Sequence, residues 1–592
     1  AGSGRIRPMK SNQRLDPAYL RQQIVGVDST FETPFGERLM VYCDYTASGR
    51  CLRFVESYLQ SLQRVYANTH TEDDITGRSM TQLLHEAETA IKESVNAGPD
   101  GRIVAVGTGA TGAIEKLQQI VGVALAPATR QQLFDVMDMP DCEIDSECFR
   151  KTFNEKGPVV FVGPYEHHSN EIMWRQSLAT TIEVRLDTTG QVDLAHLEEL
   201  LQDPRFQGRL RIGSFSAASN VTGIKTDVKA IATLLHKYDV MACFDYAACA
   251  PNVDIDMNPE PENEGEDPSI DAIFISPHKF LGGPGSSGVL VFNKRIYHGE
   301  LPPSVGAGGT VDYVSKTDQD FIKDIEEREK AGTPGVLQTM KAALVFQIKD
   351  RVGVETIHSR EHEFTTRAMD RWREEDGIEI LGNPDPERRV SIISFNIKSP
   401  DGKYLHHKFV TALLNDLFGI QSRAGCSCAG PYGHRLLRID DATSERYRHA
   451  VQDGYGGIKP GWCRVGLHWV MDDAEVDYII DAIRFIAQHG HEFLGLYDFD
   501  LCTGFWEHRE ASVKLPEFSL GVALAKDEGE PAILSLPVRK QLYDHYMTEA
   551  SRWVERLREE PAAEQSTLGG ELEELQFFSL PAGHRGPGGA VD

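Results

Sequence analysis

Lys279 is the residue whose type and surroundings most directly suggest chemistry. It lies in the loop 276–285, SPHKFLGGPG, between apolar runs at 270–275 and 288–292 that are typical of buried strands. Desolvation lowers the pKa of a lysine and makes its amine a nucleophile, as a Schiff base with an aldehyde requires. For Lys279 taken alone, the alternative is a solvated lysine on a surface loop.

Asp245 is a second candidate, because it ends the apolar run 240–244 and precedes Lys279 by 34 residues. An acid at the carboxyl end of a strand can pair with a protonated pyridine nitrogen. Such an acid and a lysine are the usual protein contribution to pyridoxal phosphate chemistry. Taken alone, Asp245 is as well explained as a helix cap or turn residue. Together with Lys279, it favours a pyridoxal phosphate enzyme.

A glycine-rich loop at 107–112, GTGATG, follows the predicted strand 102–106 and opens a predicted amphipathic helix at 113–123. Glycines at a helix N-terminus bring backbone N–H groups and the helix dipole onto a phosphate. The same letters satisfy the dinucleotide fingerprint GxGxxG, so a nicotinamide-dependent oxidoreductase is an alternative. The region 126–150 lacks a clear second strand ending in an acid. This favours the single phosphate of pyridoxal phosphate.

The order of these motifs resembles that of class V aminotransferase-type enzymes, and within them the cysteine desulfurases of the short-loop, SufS-like group. The resemblance runs from about 42 to 487. It implies the α/β fold of type I pyridoxal phosphate enzymes, with a large, mainly parallel sheet domain, a smaller α+β domain and a C-terminal extension. The matching segments are 44–48 (DYTAS), 110–111 (AT), 166–170 (EHHSN), 219–223 (SNVTG), 276–279 (SPHK), 308–310 (GGT), 329–334 (EKAGTP) and 423–431 (RAGCSCAGP).

The resemblance also implies which residues bind pyridoxal phosphate. His167 matches the histidine that stacks on the ring, Asn220 lies near the ring oxygen, and Asp245 pairs with the ring nitrogen. Thr310 matches a residue that lends its hydroxyl to the phosphate of the neighbouring subunit, so a homodimer is expected. The residues expected at the phosphate and the aldehyde are Ala110, Thr111, Ser276, His278 and Lys279.

Cys428 is the residue that would decide the chemistry. It matches the persulfide-forming cysteine of the short-loop motif R-x-G-x-x-C-A-x-P. A desulfurase needs a thiolate that attacks the sulfur of the bound substrate. Cys426 either relays sulfur or fills space, and we favour the second. For substrate binding, the resemblance implies Asn220, Ala47 at the active-site entrance, and Arg464, which matches an arginine that clamps the α-carboxylate.

The chain departs from its apparent relatives at three places. Ala248 stands where they usually carry Gln or His against the ring oxygen. A polar insert at 439–460 lengthens the span between Cys428 and Arg464. A third difference is the acidic, proline-rich insert at 256–267, which predicts a solvated loop.

Composition limits the partners and the compartment. The 592 residues include 61 basic and 89 acidic ones, a net charge of −28 that argues against nucleic acid and anionic membranes. The ten cysteines contain no CxxC pair, so neither a metal site nor a disulfide framework is expected. No apolar stretch approaches the roughly 20 residues of a membrane span. Because no signal peptide is recognisable, we expect a cytoplasmic protein.

Alternating strands and helices over 78–347 predict a mainly parallel sheet. We expect a large pyridoxal phosphate domain at 67–345, a small domain at 346–490 and an extension at 491–592 whose end is disordered. The segment 10–66 is expected to contribute to the small domain and the active-site entrance. It is predicted to be helical apart from a strand near 39–43.

The favoured function is a cysteine desulfurase that converts L-cysteine to L-alanine and leaves a persulfide on the enzyme. The substrate is L-cysteine or a related sulfur or selenium amino acid, and a protein can serve as sulfur acceptor. One alternative is a C–S β-lyase or another class V enzyme in which Cys428 accepts no sulfur. The other, less favoured, is the nicotinamide-dependent oxidoreductase.

Overall fold

A computed structural model describes residues 14–69, 73–107, 109–143, 145–510, 533–559, 565–581 and 584–585. These residues form two compact units. Unit 1 contains the described residues within 14–23, 48–219 and 225–360. Unit 2 contains those within 24–47, 220–224 and 361–585.

The secondary structure elements are numbered along the whole chain. The helices are α1 (Pro17–Gln23), α2 (Arg53–Leu62), α3 (Ile75–Ser94), α4 (Gly109–Ile120), α5 (Pro127–Met137), α6 (Ser146–Lys156), α7 (Ile172–Gln176), α8 (Leu194–Gln202), α9 (Val228–Lys237), α10 (Ile325–Arg328), α11 (Val336–Val352), α12 (Val354–Arg373), α13 (His407–Phe418), α14 (Gly430–Leu436), α15 (Asp441–Gln452), α16 (Asp473–His489), α17 (Leu536–Glu559) and α18 (Glu571–Leu575). The strands are β1 (Thr30–Thr33), β2 (Gly36–Leu39), β3 (Val41–Tyr42), β4 (Gly101–Val106), β5 (Val159–Val162), β6 (Thr180–Glu183), β7 (Arg211–Ser216), β8 (Met241–Asp245), β9 (Ala272–Ile275), β10 (Gly288–Asn293), β11 (Val311–Val314), β12 (Gln319–Phe321), β13 (Ile378–Ile380), β14 (Ile392–Ile397), β15 (Ile420–Gln421), β16 (Arg423–Gly425), β17 (Trp462–Gly466), β18 (Tyr497–Asp500), β19 (Phe505–His508), β20 (Gln565–Ser566), β21 (Leu580–Pro581) and β22 (His584–Arg585).

Unit 1 is built on a seven-stranded sheet with the strand order β4-β10-β9-β8-β7-β5-β6 among the described residues. The run from β9 to β6 is parallel, and β10 is antiparallel to both of its neighbours. Strands β5 and β9 are buried along their whole length, as expected for parallel strands covered on both faces. The prediction of an α/β fold with a mainly parallel sheet is confirmed.

Helix α4 packs against this sheet and so fixes the position of the loop before it. Ile114 and Leu117 of α4 are fully buried in one apolar cluster with Val104 and Leu290 of the neighbouring strands. A Cβ at Gly288 would lie 2.3 Å from the carbonyl oxygen of Gly109, so β10 approaches α4 this closely only because a glycine stands there. The N-terminus of α4 is therefore held close to the sheet.

Unit 2 contains a four-stranded antiparallel sheet with the order β13-β14-β17-β16, and β3 pairs with β15 in parallel. The prediction that 10–66 is helical apart from a strand near 39–43 is wrong at 30–39. There β1 and β2 form a hairpin whose register pairs Thr33 with Gly36. Gly36 has φ 100°, a backbone conformation that favours glycine, and the helical prediction overlooked this turn signal.

The described part of the C-terminal extension is ordered against unit 2. Helix α17 buries Tyr543, Tyr546 and Val554. Its buried Arg539 forms an ion pair of 2.5 Å with Asp472 of the same unit. The disorder expected at the end of the chain lies outside the described residues beyond 585. The insert at 256–267 is an exposed loop for most of its length, as predicted.

Candidate active site

Three chain segments of unit 1 bring predicted site residues to one edge of the sheet. Asp245 is the last residue of β8, and its register partner on β9 is Phe274, two residues before Ser276. From the start of α4, the N–H of Ala110 donates to Ser276 Oγ at 2.8 Å. Asp245, Ser276 and Ala110 are thus brought together at the carboxyl ends of parallel strands, where ligands of open α/β sheets bind.

The loop that opens α4 has the form of an anion cradle. Gly109 has φ 57°, and a Cβ there would lie 2.7 Å from Ser276 Oγ, so no other residue fits without a shift. The dipole of a twelve-residue helix and the N–H groups of its first turn favour an anion at this end. Thr111 Oγ1 lies 2.7 Å from Ser169 Oγ, which in turn lies 3.1 Å from Nδ1 of His167. His167 is thereby placed beside the cradle.

His278 is neutral near pH 7 although it stands next to Lys279. Burial, aided by the positive charge of Lys279, lowers the pKa of His278 to about 4. Its Nδ1 lies 3.3 Å from the hydroxyl oxygen of Ser48. A neutral imidazole in this place can donate one hydrogen bond to an anion without adding a full charge.

Asp245 is a buried carboxylate within electrostatic reach of Lys279. Burial raises the pKa of Asp245, while the N–H of Ala247, 2.8 Å from Oδ1, and the charge of Lys279 lower it. A buried acid of this kind is held in its charged form by a cationic partner. The arrangement suits a protonated heterocyclic nitrogen.

Glu166 also belongs to this edge, although no sequence motif assigns it a role. It is buried, accepts from the Ser216 N–H and hydroxyl at 2.9 and 2.6 Å, and accepts from Asn170 Nδ2 at 2.6 Å. Burial raises its pKa to about 7, more than these hydrogen bonds lower it. Because Ser216 is the register partner of Asp245, Glu166 ties the turn that carries His167 to β7 beside β8.

Thr310 is buried, and its hydroxyl is engaged within its own turn. Its Oγ1 donates to the carbonyl oxygen of Ala307 at 2.7 Å and accepts from the Ala307 N–H at 3.1 Å. The role of Thr310 at the phosphate of a neighbouring subunit stays a prediction.

Unit 2 holds the residues predicted for substrate binding. Arg464 on β17 is 3% exposed; its Nη2 pairs with Asp44 Oδ1 at 3.0 Å and its Nη1 donates to the Asn220 carbonyl at 2.9 Å. Its Nε has no hydrogen-bond partner among the described residues. Ala47 is half-buried in the turn after β3, where its N–H donates to the Asp44 carbonyl at 2.9 Å. Arg464 therefore combines a buried charge with a donor left unused.

Cys428 lies on a strained turn between β16 and α14. Cys428 has φ 56° and Ser427 has φ 50°, and left-handed backbone at two consecutive non-glycine residues is uncommon and clusters at functional sites. Asn220 Nδ2 holds the turn through the Ser427 carbonyl at 2.7 Å, and Asn220 Oδ1 has no partner among the described residues. Burial lowers the pKa of Arg464, while Asp44 and, to a smaller extent, Cys428 oppose this effect, so Cys428 lies within electrostatic reach of the guanidinium.

Cys426, two residues earlier, is exposed. This exposure disfavours the interpretation that Cys426 only fills space, and its role in sulfur relay stays a prediction. The geometry leaves its thiol accessible to solvent.

Among the described residues, one cluster has the composition of a metal site: His85, Glu88 and Glu327. Lys330 Nζ lies 2.8 Å from Glu88 Oε1 and 2.9 Å from Glu327 Oε1. The ammonium group thus already supplies the positive charge that these carboxylates need.

Residues 146–479, more than half of the chain, match the family model of aminotransferase class-V. The chain belongs to this family. Two relatives of this chain are named probable cysteine desulfurase. That of Halalkalibacterium halodurans is 26% identical over 357 residues, 60% of this chain and 81% of the relative. That of a Staphylococcus aureus strain is 31% identical over 282 residues, 47% of this chain and 62% of the relative.

Solved structures share the fold of this class V protein. The cysteine desulfurase of Thermococcus onnurineus superposes with a TM-score of 0.61 at 18% identity, over 80% of this chain and 99% of that one. The cysteine desulfurase CsdA of Escherichia coli superposes with a TM-score of 0.57 at 21% identity, over 79% of this chain and 98% of that one. The predicted class V resemblance and fold class are confirmed.

Proposed function

We propose that this class V protein is a pyridoxal phosphate-dependent cysteine desulfurase that converts L-cysteine to L-alanine and holds the sulfur as a persulfide on Cys428. The observation that carries the proposal is the strained turn of Cys428, which Asn220 holds within the same unit as the buried Arg464. Relatives that match 60% and 47% of this chain are named probable cysteine desulfurases, which supports the proposal.

The residues of unit 1 fit pyridoxal phosphate. The helix N-terminus at Gly109 and Ala110, where a Cβ on Gly109 would clash with Ser276 Oγ, suits a phosphate, and the neutral His278 can donate to it. Asp245 is the buried acid for the ring nitrogen, and Lys279 offers the amine for the aldehyde. When bound, the cofactor supplies an electron sink that acidifies the Cα–H of an amino acid.

Side chains of this protein would transfer the protons and bind the substrate. Lys279 Nζ would take the proton from the substrate Cα, and the carboxylate of Asp245 would keep the ring nitrogen protonated. His167 would hold and orient the ring. Arg464 binds the α-carboxylate through its guanidinium, which is already fixed by Asp44.

Sulfur transfer is the role of Cys428. Its thiolate attacks the substrate sulfur, so that a bond forms between Cys428 Sγ and that sulfur while the substrate Cβ–S bond breaks. The electron pair of the broken bond stays on the organic fragment, which takes up protons and leaves as alanine. Sulfur remains on the enzyme as a persulfide.

Product analysis tests this proposal. We expect L-alanine as the main product from L-cysteine, with one added sulfur atom on Cys428 after the first turnover. The spectrum of the purified protein should carry the visible absorbance of pyridoxal phosphate bound to a lysine. Pyruvate, ammonia and sulfide as the main products would identify a C–S lyase instead.

The assembly and compartment belong to the same proposal. We infer a homodimer, supported by the exposed apolar side chains Tyr313 and Val314 on the hairpin β11–β12. A cytoplasmic location is supported by ten cysteines that are all free. In the described part of the chain, no helix is long and apolar enough to cross a membrane.

Replacing Arg464 with lysine should raise KM for L-cysteine by roughly tenfold to a hundredfold, since a charge-assisted hydrogen bond contributes about 1.5–3 kcal/mol. Cysteamine, which lacks the carboxylate, provides the control: its weak binding as a competitive inhibitor should change little. Thermal melting checks the fold, because Arg464 also bonds Asp44 and Asn220. An unchanged KM in a folded variant would remove Arg464 from the substrate site.

A further inference from the structure

Unit 2 contains a cavity of about 660 Å³ that opens beside the turn of Cys426 and Cys428. The exposed Cys426 lines it, together with residues of α14 and α15 such as His434 and Tyr447. Helix α15 lies within the polar insert 439–460 that separates Cys428 from Arg464 in the sequence. A part of the chain without an assigned role therefore forms a wall of a cavity next to the proposed sulfur-carrying residue.

The charges around this cavity have one sign. Lys408, Arg448 and Lys459 line it, and no carboxylate does so in the part of the chain that the structure describes, although the whole chain carries a net charge of −28. Lys408 Nζ donates to the Thr503 carbonyl at 2.8 Å, and Arg448 pairs with Glu445 at 3.0 Å on the exposed side of α15. Burial and the charge of Lys459 lower the pKa of Lys408, and Asp500, which does not line the cavity, offsets part of this effect. An anion in the cavity would relieve this repulsion.

The remaining walls are largely apolar. Leu437, Val451 and the buried Trp462 contribute to them. Two buried polar atoms on lining residues, His407 Nδ1 and Trp462 Nε1, have no hydrogen-bond partner among the described residues. Apolar walls, a few unpaired polar groups and a volume between roughly 300 and 1,000 Å³ are typical of small-molecule sites.

We propose, on the basis of the proposed function, that this cavity binds an anionic low-molecular-weight thiol that receives sulfur from Cys428 by way of Cys426. The two cysteines share one turn, closed by a hydrogen bond of 3.1 Å from the Ala429 N–H to the Cys426 carbonyl. The cations select the anion, and the exposed thiol at the cavity wall delivers the sulfur.

Both transfers balance without an oxidant. The Cys426 thiolate attacks the outer sulfur of the Cys428 persulfide; a new S–S bond forms at Cys426, and Cys428 leaves as a thiolate. The thiolate of the bound molecule then attacks the same outer sulfur on Cys426 and leaves as a persulfide, which restores the Cys426 thiolate. Each step breaks one S–S bond and forms one.

Binding is tested with S-methylglutathione, an anionic probe that has no free thiol. Isothermal titration into the full-length holoenzyme should show saturable binding, and Lys459→Glu should weaken it about tenfold or more. Lys151→Glu is the matched control, because it makes the same charge change on an exposed lysine of α6 in unit 1. Absent binding, or equal loss in both variants, would overturn the proposal whether or not the enzyme is a desulfurase.

Transfer is tested with glutathione and 2-mercaptoethanol as acceptors. Cys426→Ser should lower glutathione-dependent turnover about tenfold or more and leave sulfur on Cys428. Turnover with 2-mercaptoethanol, a small neutral thiol, should fall less. The first turnover of the unmodified enzyme without added thiol tests the desulfurase activity alone. That turnover could yield alanine while glutathione fails to remove the sulfur from Cys428 and only a protein acceptor does so. In that case the cavity proposal is wrong and the proposed function stands.

Discussion

Lys279→Ala is expected to abolish the visible absorbance of lysine-bound pyridoxal phosphate and to lower turnover by at least about a thousandfold. The amine is the only group of the β9–β10 loop that can bind an aldehyde covalently, and it is also the proton carrier at the substrate Cα. Borohydride reduction of the unmodified holoenzyme, followed by peptide mass spectrometry, should place the trapped cofactor on Lys279. This readout is independent of activity.

Lys349 is the matched control for this experiment. It is a buried lysine of α11 in the same unit, and burial lowers its pKa to about 8, which makes it the chemical rival of Lys279. Its Nζ lies 5.9 Å from the ring centre of Phe280, however, and it is not part of the loop that follows β9. Lys349→Met should keep the absorbance band. A cofactor trapped on Lys349 would refute the assignment of Lys279.

The edge of the sheet in unit 1 could be predicted because its signals are local. Asp245 ends an apolar run, Lys279 follows another, and the glycines precede an amphipathic helix; each pattern spans about ten residues or fewer. The strands and the helix then form where these patterns predict them, with ends displaced by one or a few residues. Parallel pairing then brings the carboxyl ends of β8 and β9 together.

What could not be predicted depends on contacts between distant residues. The partner of Glu166 is Ser216, fifty residues later, and the partner of Arg464 is Asp44, 420 residues earlier. Neither carboxylate carries a local signal of its role. The exposure of Cys426 likewise depends on how α14 and α15 pack, which no periodicity in 423–431 reveals.

The contacts of Asn220 differ from those that its sequence motif implies. The motif implied a contact with the cofactor ring, whereas its side chain donates to the Ser427 carbonyl and so supports the turn of Cys428. The segment 220–224 is part of unit 2, although the residues on both sides of it belong to unit 1. We infer that Asn220 positions the cysteine turn in addition to any role at the cofactor.

Cys428→Ala is expected to retain the bound cofactor and its absorbance, because the thiol has no assigned role in binding it. Persulfide formation should disappear, and alanine production should fall by at least about a thousandfold, since loss of a covalent nucleophile leaves only binding and positioning. Alanine and pyruvate formed from L-cysteine are measured together with the added mass on intact protein. Cys148→Ala, at an exposed cysteine of α6 in unit 1, is the control and should behave as the unmodified enzyme.

The strained turn makes it possible to distinguish loss of the Cys428 nucleophile from loss of folding stability. Alanine keeps the cost of the left-handed conformation at φ 56°, whereas glycine adopts it freely, so Cys428→Gly should be more stable than Cys428→Ala by about 1 kcal/mol. Both variants lack the thiol, and both should be equally inactive despite this difference in denaturant midpoint. Recovery of alanine production in the glycine variant would trace the defect to the fold. Pyruvate as the main product, with Cys428→Ala fully active, would replace the desulfurase by a lyase on the same class V scaffold.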